Sequence, residues 1–206
     1  MKQKTRQAKW ERKSKETQIK VELNIDGQGK AKIRTNIGLL DHMLELFAFH
    51  GCFDLKIEVK KADLQVDAHH TNEDVGIVLG KIFKDALGNK AGIKRFGSAF
   101  APMEKTIGRT VVDLSGRGYF SLDGGGQLSS GKDESGEYSM KYFEHFMESF
   151  AHGLGATIQI RIEYPDADLH TNLETAFKSL GLALDQAAQI DPRRKGAVPS
   201  TKGIID

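Results

Sequence analysis

The run His69-His70-Thr71-Asn72-Glu73 is where residue type and spacing first point to chemistry. On a helix His69 and Glu73 stand four positions apart on one face, so an imidazole nitrogen and a carboxylate can share one metal ion. His70 is turned by about 100° and points elsewhere, toward a second metal or a second subunit. The face recurs downstream in His170 and Glu174, and each copy is preceded by another helix-borne histidine, His42 and His145. Nitrogen and carboxylate donors suit Zn, Mn or Fe, and the lack of thiolates argues against a structural zinc cage. One such motif alone would read equally well as a polar helix N-terminus; two ordered copies favour ligands. His50 reads as a helix C-terminal cation, with substrate binding as its other candidate role, and His152 as a surface residue.

Basic residues supply a second theme. Arg95, Arg117, Lys178 and Lys202 each sit beside a turn or a helix. Ser200-Thr201-Lys202-Gly203 combines hydroxyl, backbone N–H and ammonium donors, the ingredients of an anion-holding loop. It is not a Walker A loop, because the upstream glycine spacing is absent.

The elements that must position these groups come in two copies. His42-Met43-Leu44-Glu45-Leu46-Phe47-Ala48 resembles His145-Phe146-Met147-Glu148-Ser149-Phe150-Ala151, and Leu55 to Val59 alternates like Ile158 to Ile162. Leu79-Gly80 answers Leu180-Gly181, and the strand before Asp26-Gly27 answers the one before Ser115-Gly116. The implied architecture is α+β: a duplicated unit, each half a small, mainly antiparallel sheet with two helices on one face. The repeats are expected over 1–92 and 93–189, with a phosphate-binding tail at 190–206.

Within the first repeat the pattern predicts a hairpin from Thr17–Ile25, an Asp26-Gly27 turn and Lys30–Arg34. A helix is predicted over Asp41–His50, with Leu40, Leu44 and Phe47 on one face, and another over Thr71–Leu87. Strands at Leu55–Val59 and Leu64–Val66 would be joined by a turn at 60–63. The second repeat runs similarly from Val111 to about Ala187. The glycine-rich stretch Asp123–Gly136 reads as a mobile loop, and the tail as no regular helix.

Composition narrows the function classes. The 206 residues carry 30 Lys+Arg against 28 Asp+Glu, a net charge of +2, which gives no gross electrostatic reason to bind nucleic acid or a membrane surface. No apolar run approaches the roughly 18 residues of a membrane span, and Met1-Lys2-Gln3-Lys4 leads into no secretory signal. The single cysteine, Cys52, cannot form an internal disulfide, which fits a reducing cytoplasm.

With these residues in view, the chain resembles the imidazoleglycerol-phosphate dehydratases, the lyases of histidine biosynthesis. The likeness runs through Lys15-Glu16-Thr17, Leu40-Asp41-His42-Met43-Leu44, Asp67-Ala68-His69-His70-Thr71-Asn72-Glu73-Asp74, Arg95-Phe96-Gly97, Asp113-Leu114-Ser115-Gly116-Arg117, His145-Phe146, Phe177-Lys178, Asp191-Pro192-Arg193-Arg194 and Pro199-Ser200-Thr201-Lys202-Gly203. The resemblance implies a homo-oligomer, usually of 24 subunits, with two manganese ions per site held between subunits. His42, His69 and Glu73 would serve one metal, and His70, His145, His170 and Glu174 the other. Arg95, Arg117, Lys178, Ser200 and Lys202 would hold the phosphate of a small phosphorylated imidazole substrate, and Glu16 would transfer a proton.

The implied reaction removes water from a glycerol side chain on an imidazole. The proton lost is not next to a carbonyl, so the reaction needs another electron sink, which a divalent cation on the ring can supply.

The sequence also departs from the family. Thr171 stands where the second motif usually has a histidine, Leu46 where glutamine is usual, Gln65 and Gln159 where histidine is frequent, and Lys105 where an acid is frequent. Three readings stay open: an active dehydratase, a weakened or inactive relative acting as an assembly or binding protein, and a metalloenzyme on another phosphorylated substrate.

Overall fold

The computed structural model describes residues 6–65, 67–124, 128 and 138–205. Two four-stranded sheets have the same topology. The first contains β1 (Gln7–Lys13), β2 (Gln18–Asn24), β3 (Ala31–Arg34) and β4 (Asp54–Lys61), in the order β1-β2-β4-β3. The second contains β5 (Phe96–Met103), β6 (Thr106–Asp113), β7 (Tyr119–Asp123) and β8 (Thr157–Glu163), in the order β5-β6-β8-β7. In each sheet one pair is parallel and the rest antiparallel: Ile33 lies beside Ile57, and Leu122 beside Ile160.

The hairpin forecast is corrected by this pairing. β2 does not pair with β3; it pairs with β1, and β3 joins the far side of β4. β1 has no fully buried residue, so no apolar stripe announced it. The strand expected at Leu64–Val66 is also absent in its described part: Leu64 and Gln65 form a turn, and Val66 lies outside the described residues. Most of the glycine-rich stretch, 125–127 and 129–137, also lies outside them. The tail contains a single 3-10 turn, Pro192–Arg194.

Four helices pack between the sheets: α1 (Gly38–His50), α2 (His69–Leu87), α3 (Met140–Leu154) and α4 (Leu169–Ala188). Their starts are set locally. Asp41 reaches back to accept from Thr35 N and Thr35 Oγ1, both at 2.6 Å, at the head of α1. Asp168 caps α4 by accepting from His170 N and Thr171 N. The Asp168 cap satisfies N–H groups that the first turn of α4 leaves without partners, whereas Asp41 fixes the loop that enters α1.

The helices pair across the repeats. α2 lies on α3, and α1 lies on α4. Gly80 on α2 faces Phe150 O of α3, and Gly181 on α4 faces Phe47 O of α1; a Cβ there would stand 2.4 and 2.5 Å from those oxygens. Only glycine permits that approach. The corresponding rings Phe47 and Phe150 meet at 6.2 Å between centroids, with Phe83 against both. Each is essentially fully buried, a transfer gain of about 1.5–3 kcal/mol per ring.

Candidate active site

The crosswise packing decides which histidines meet. His42 comes from the middle of α1 and His170 from the first turn of α4. His42 Nε2 lies 3.2 Å from Glu174 Oε1, and His170 Nε2 lies 2.9 Å from the same oxygen. The ligand atoms of His42, His170 and Glu174 all fall within 4.8 Å of one another. On the other side, His145 of α3 faces the first turn of α2. His145 Nδ1 is 3.0 Å from His69 Nδ1, and His69 Nε2 is 3.5 Å from Glu73 Oε2.

This grouping differs from the division carried over by resemblance. Within one chain His42 sits with His170 and Glu174, not with His69, and His145 sits with His69. The reason is topological: α1 packs on α4 and α2 on α3, so each set draws on both repeats. Two imidazoles and a carboxylate suit a divalent transition metal. The His42, His170 and Glu174 donors converge, whereas His69 meets His145 through Nδ1 and Glu73 through Nε2, opposite edges of one ring.

Glu174 is the most perturbed acid of the site. Burial would raise its pKa, but hydrogen bonds from Lys178, His42 and His170 outweigh it and hold the carboxyl at about 2. Lys178 stands one helical turn after Glu174 and donates to its Oε2. His50, at the end of α1, has its pKa lowered first by burial and then by the positive charge of Lys178, against the pull of Glu174. It therefore lies within the field of this set.

His70 turns away from both sets. Its Nδ1 lies 2.9 Å from Asp63 Oδ2. Glu16 is on the β1–β2 turn, where its N–H donates to Ser14 Oγ, and Lys61 Nζ holds the neighbouring Lys15 carbonyl. Glu16, Asp63 and His70 offer ligand atoms within 4.8 Å of one another. The Asp63 hydrogen bond and then the nearby Glu16 charge raise the His70 pKa, against the opposing effect of burial. The sequence pattern places Asp63 only in the turn at 60–63. Its counterpart Asp166, likewise placed just after a matching strand, is the signal in the sequence that points to it.

The candidate phosphate ligands are spread more widely. Arg95 donates to both carboxylate oxygens of Asp113, at 2.7 and 3.1 Å, and to Pro199 O at 3.0 Å, so its guanidinium anchors the tail. Ser200 Oγ accepts from Lys202 N at 3.2 Å, while Thr201 and Lys202 are exposed. Arg117 is exposed after β6, with its N–H on Ser115 Oγ. Among the described residues these cations form no single bonded cluster.

The chain is similar to known proteins over nearly its whole length. A family model described as imidazoleglycerol-phosphate dehydratase matches residues 35–184. The imidazoleglycerol-phosphate dehydratase of a Thermoanaerobacter species is 47% identical over 97% of this chain and 100% of its own. That of Geobacter metallireducens is 45% identical over 98% of this chain and 100% of its own. Two crystal structures are similar. The Staphylococcus aureus dehydratase has a TM-score of 0.75 at 31% identity, covering 90% of this chain and 99% of its own. The Pyrococcus furiosus enzyme, in complex with (S)-C348, has a TM-score of 0.77 at 35% identity, covering 95% of this chain and 99% of its own. The chain thus belongs to the imidazoleglycerol-phosphate dehydratase family, the hydro-lyases of histidine biosynthesis.

Proposed function

We propose that the protein dehydrates D-erythro-imidazole-glycerol phosphate to imidazole-acetol phosphate, with manganese as its metal. The observation that carries this reading is the convergent His42–His170–Glu174 set, gathered by crosswise helix packing in a chain of this family, with His69, Glu73 and His145 as neighbours on the other helix pair. His42, His170 and Glu174 would hold one ion, and His69, Glu73 and His145 the other. A bound divalent ion supplies Lewis acidity toward the imidazole ring, the electron sink that the reaction requires.

The chain's own side chains do the rest. A carboxylate oxygen of Glu16 handles the carbon-bound proton, from a hairpin turn beside His70 and Asp63. Lys178, His50, Arg117 and the tail residues Ser200, Thr201 and Lys202 hold the phosphate, with Arg95 fastening the tail. Contacts that far from the reacting carbons serve orientation. We take the repeats as 1–92 and 93–189, and the tail as 190–206.

The protein is further read as a homo-oligomer of 24 subunits, in keeping with the resemblance. Exposed apolar side chains such as Phe49, Phe96, Phe100 and Tyr164 support association. The cytoplasm is the proposed compartment, which suits a lone cysteine. No helix among the described residues is long and apolar enough to cross a membrane.

The test is turnover of the imidazole substrate with saturating Mn2+, read by ultraviolet absorbance of the product. Activity lost on chelation and restored by Mn2+ is the expected result. No turnover at saturating metal would sink the proposal.

A further inference from the structure

The duplication gives residues of one repeat counterparts in the other, matched by strand register and by equivalent backbone contacts. Val21 pairs with Ile57 in the first sheet, as Thr110 pairs with Ile160 in the second. Counting back along β2 and β6 places Lys105 opposite Glu16. β4 carries a bulge near Lys60 that β8 lacks, so Asp166 is matched to Asp63 by a backbone contact rather than by register. Asp63 N donates to Thr71 Oγ1 at 3.0 Å, and Asp166 N donates to Asn172 Oδ1 at 2.9 Å. Thr71 and Asn172 each stand two positions after the first histidine of their helix, so Thr171 corresponds to His70.

The two corners therefore differ in every group but one. The first holds Glu16, Asp63 and His70. In the second, Lys105 Nζ lies 3.1 Å from Asp166 Oδ2, the place that the His70 ring takes on Asp63. Thr171 Oγ1 donates to Asp168 Oδ2 at 3.1 Å. A carboxylate and an imidazole have become an ammonium and a hydroxyl, and the remaining carboxylate is neutralised. Such a corner offers a divalent ion no imidazole and opposes it with a fixed positive charge.

The count of donors then has a consequence. Each His–His–Glu set has three donors, and the tandem motif supplies one further imidazole per chain, His70, for two sets. In any assembly of identical chains that ratio is unchanged. We infer that the chain binds its two divalent ions unequally: one set is completed by His70 of a neighbouring copy and is tight, while the other lacks its counterpart at position 171. The second ion binds at least about 10-fold more weakly. In the second repeat Lys105 occupies Asp166 as His70 occupies Asp63 in the first.

This inference rests on the metal dependence proposed above. It is tested by calorimetric titration of the chelator-stripped, full-length protein with Mn2+ alone. Wild type should show one tight ion per chain and a weaker second. Thr171→His should strengthen the second step, and Thr171→His with Lys105→Glu should strengthen it most. His70→Ala should weaken the tight step instead. Equal affinities in wild type would overturn the inference, as would a second step unmoved in a double variant with wild-type circular dichroism. Dehydratase turnover measured on the same samples separates the two ideas. Equal binding with turnover removes only the inequality; unequal binding without turnover removes only the proposed reaction.

Discussion

Gly181→Ala tests the idea that close helix approach builds the α1–α4 histidine set. The new Cβ would stand 2.5 Å from Phe47 O and 3.1 Å from Gly51 N, where contacts under 3.0 Å are essentially never seen. From 2.5 to 3.0 Å, the helices must part by at least about 0.5 Å. Overpacking of this kind costs about 1–3 kcal/mol, while alanine regains about 1 kcal/mol of helix propensity. The net loss is up to about 2 kcal/mol. At about 2–4 °C per kcal/mol for a chain of this size, Tm falls by up to about 8 °C. The same retreat takes His42 from 3.2 Å to beyond hydrogen-bond reach of Glu174. Thermal unfolding at fixed protein and metal concentration reads the first effect, and Mn2+ titration the second. Gly38→Ala is the control, because nothing lies within 4 Å of its added Cβ; it should leave stability equal or raised by up to about 1 kcal/mol. Gly181→Ala unfolding at or above the wild-type temperature, with Mn2+ affinity intact, would refute the reasoning.

Other expectations follow from individual contacts. Tyr138→Phe removes a hydroxyl that donates to Asn72 Oδ1 at 2.8 Å in the interior, and should cost about 1–3 kcal/mol in denaturant unfolding. Arg95→Ala frees Pro199 O and leaves Asp113 without its bidentate partner. Limited proteolysis should then cut within 192–205 sooner than in wild type, and KM for the phosphorylated substrate should rise about 10-fold with a smaller change in kcat. Asp191 is held at about 2, against an ordinary 3.8, chiefly by Arg193 hydrogen bonds. The ionised, depressed carboxyl favours the ordered tail above about pH 4, and that support is lost as pH falls through about 2. Amide exchange of the tail between pH 5 and pH 2, with Asp191→Asn as reference, should show protection declining only in wild type.

The parts of this fold legible from sequence are those with an apolar face. α1, α2 and β4 announce themselves because Leu40, Leu44, Phe47, Val75, Leu79, Leu55 and Ile57 repeat at helical or alternating spacing and are buried. The duplication was legible for the same reason. β1 was not, since it lies at a sheet edge and its burial alternates only between exposed and half-buried. Strand partners were misjudged where pairing is non-local: β3 follows β2 in the chain but hydrogen-bonds to β4. The ligand types were visible in His69, Glu73, His170 and Glu174, because spacing within one helix is a local property. Which histidine from another helix meets them was not, because that depends on Gly80 and Gly181 bringing distant segments together. Asp63 escaped notice because its role exists only once β4, α2 and the Glu16 turn are assembled.

The crosswise pairing of α1 with α4 and of α2 with α3 has a historical reading. A single repeat released as its own polypeptide would hold one helix of each pair, and could complete a histidine set only by embracing a copy of itself. That ancestor would be a two-fold symmetric dimer whose sites are identical twins, so every substitution would strike both. Joining two copies end to end would remove that constraint. Lys105 and Thr171 could then arise on one side while Glu16 and His70 stayed on the other. The fused chain keeps the shape of the dimer and has shed its obligation to symmetry.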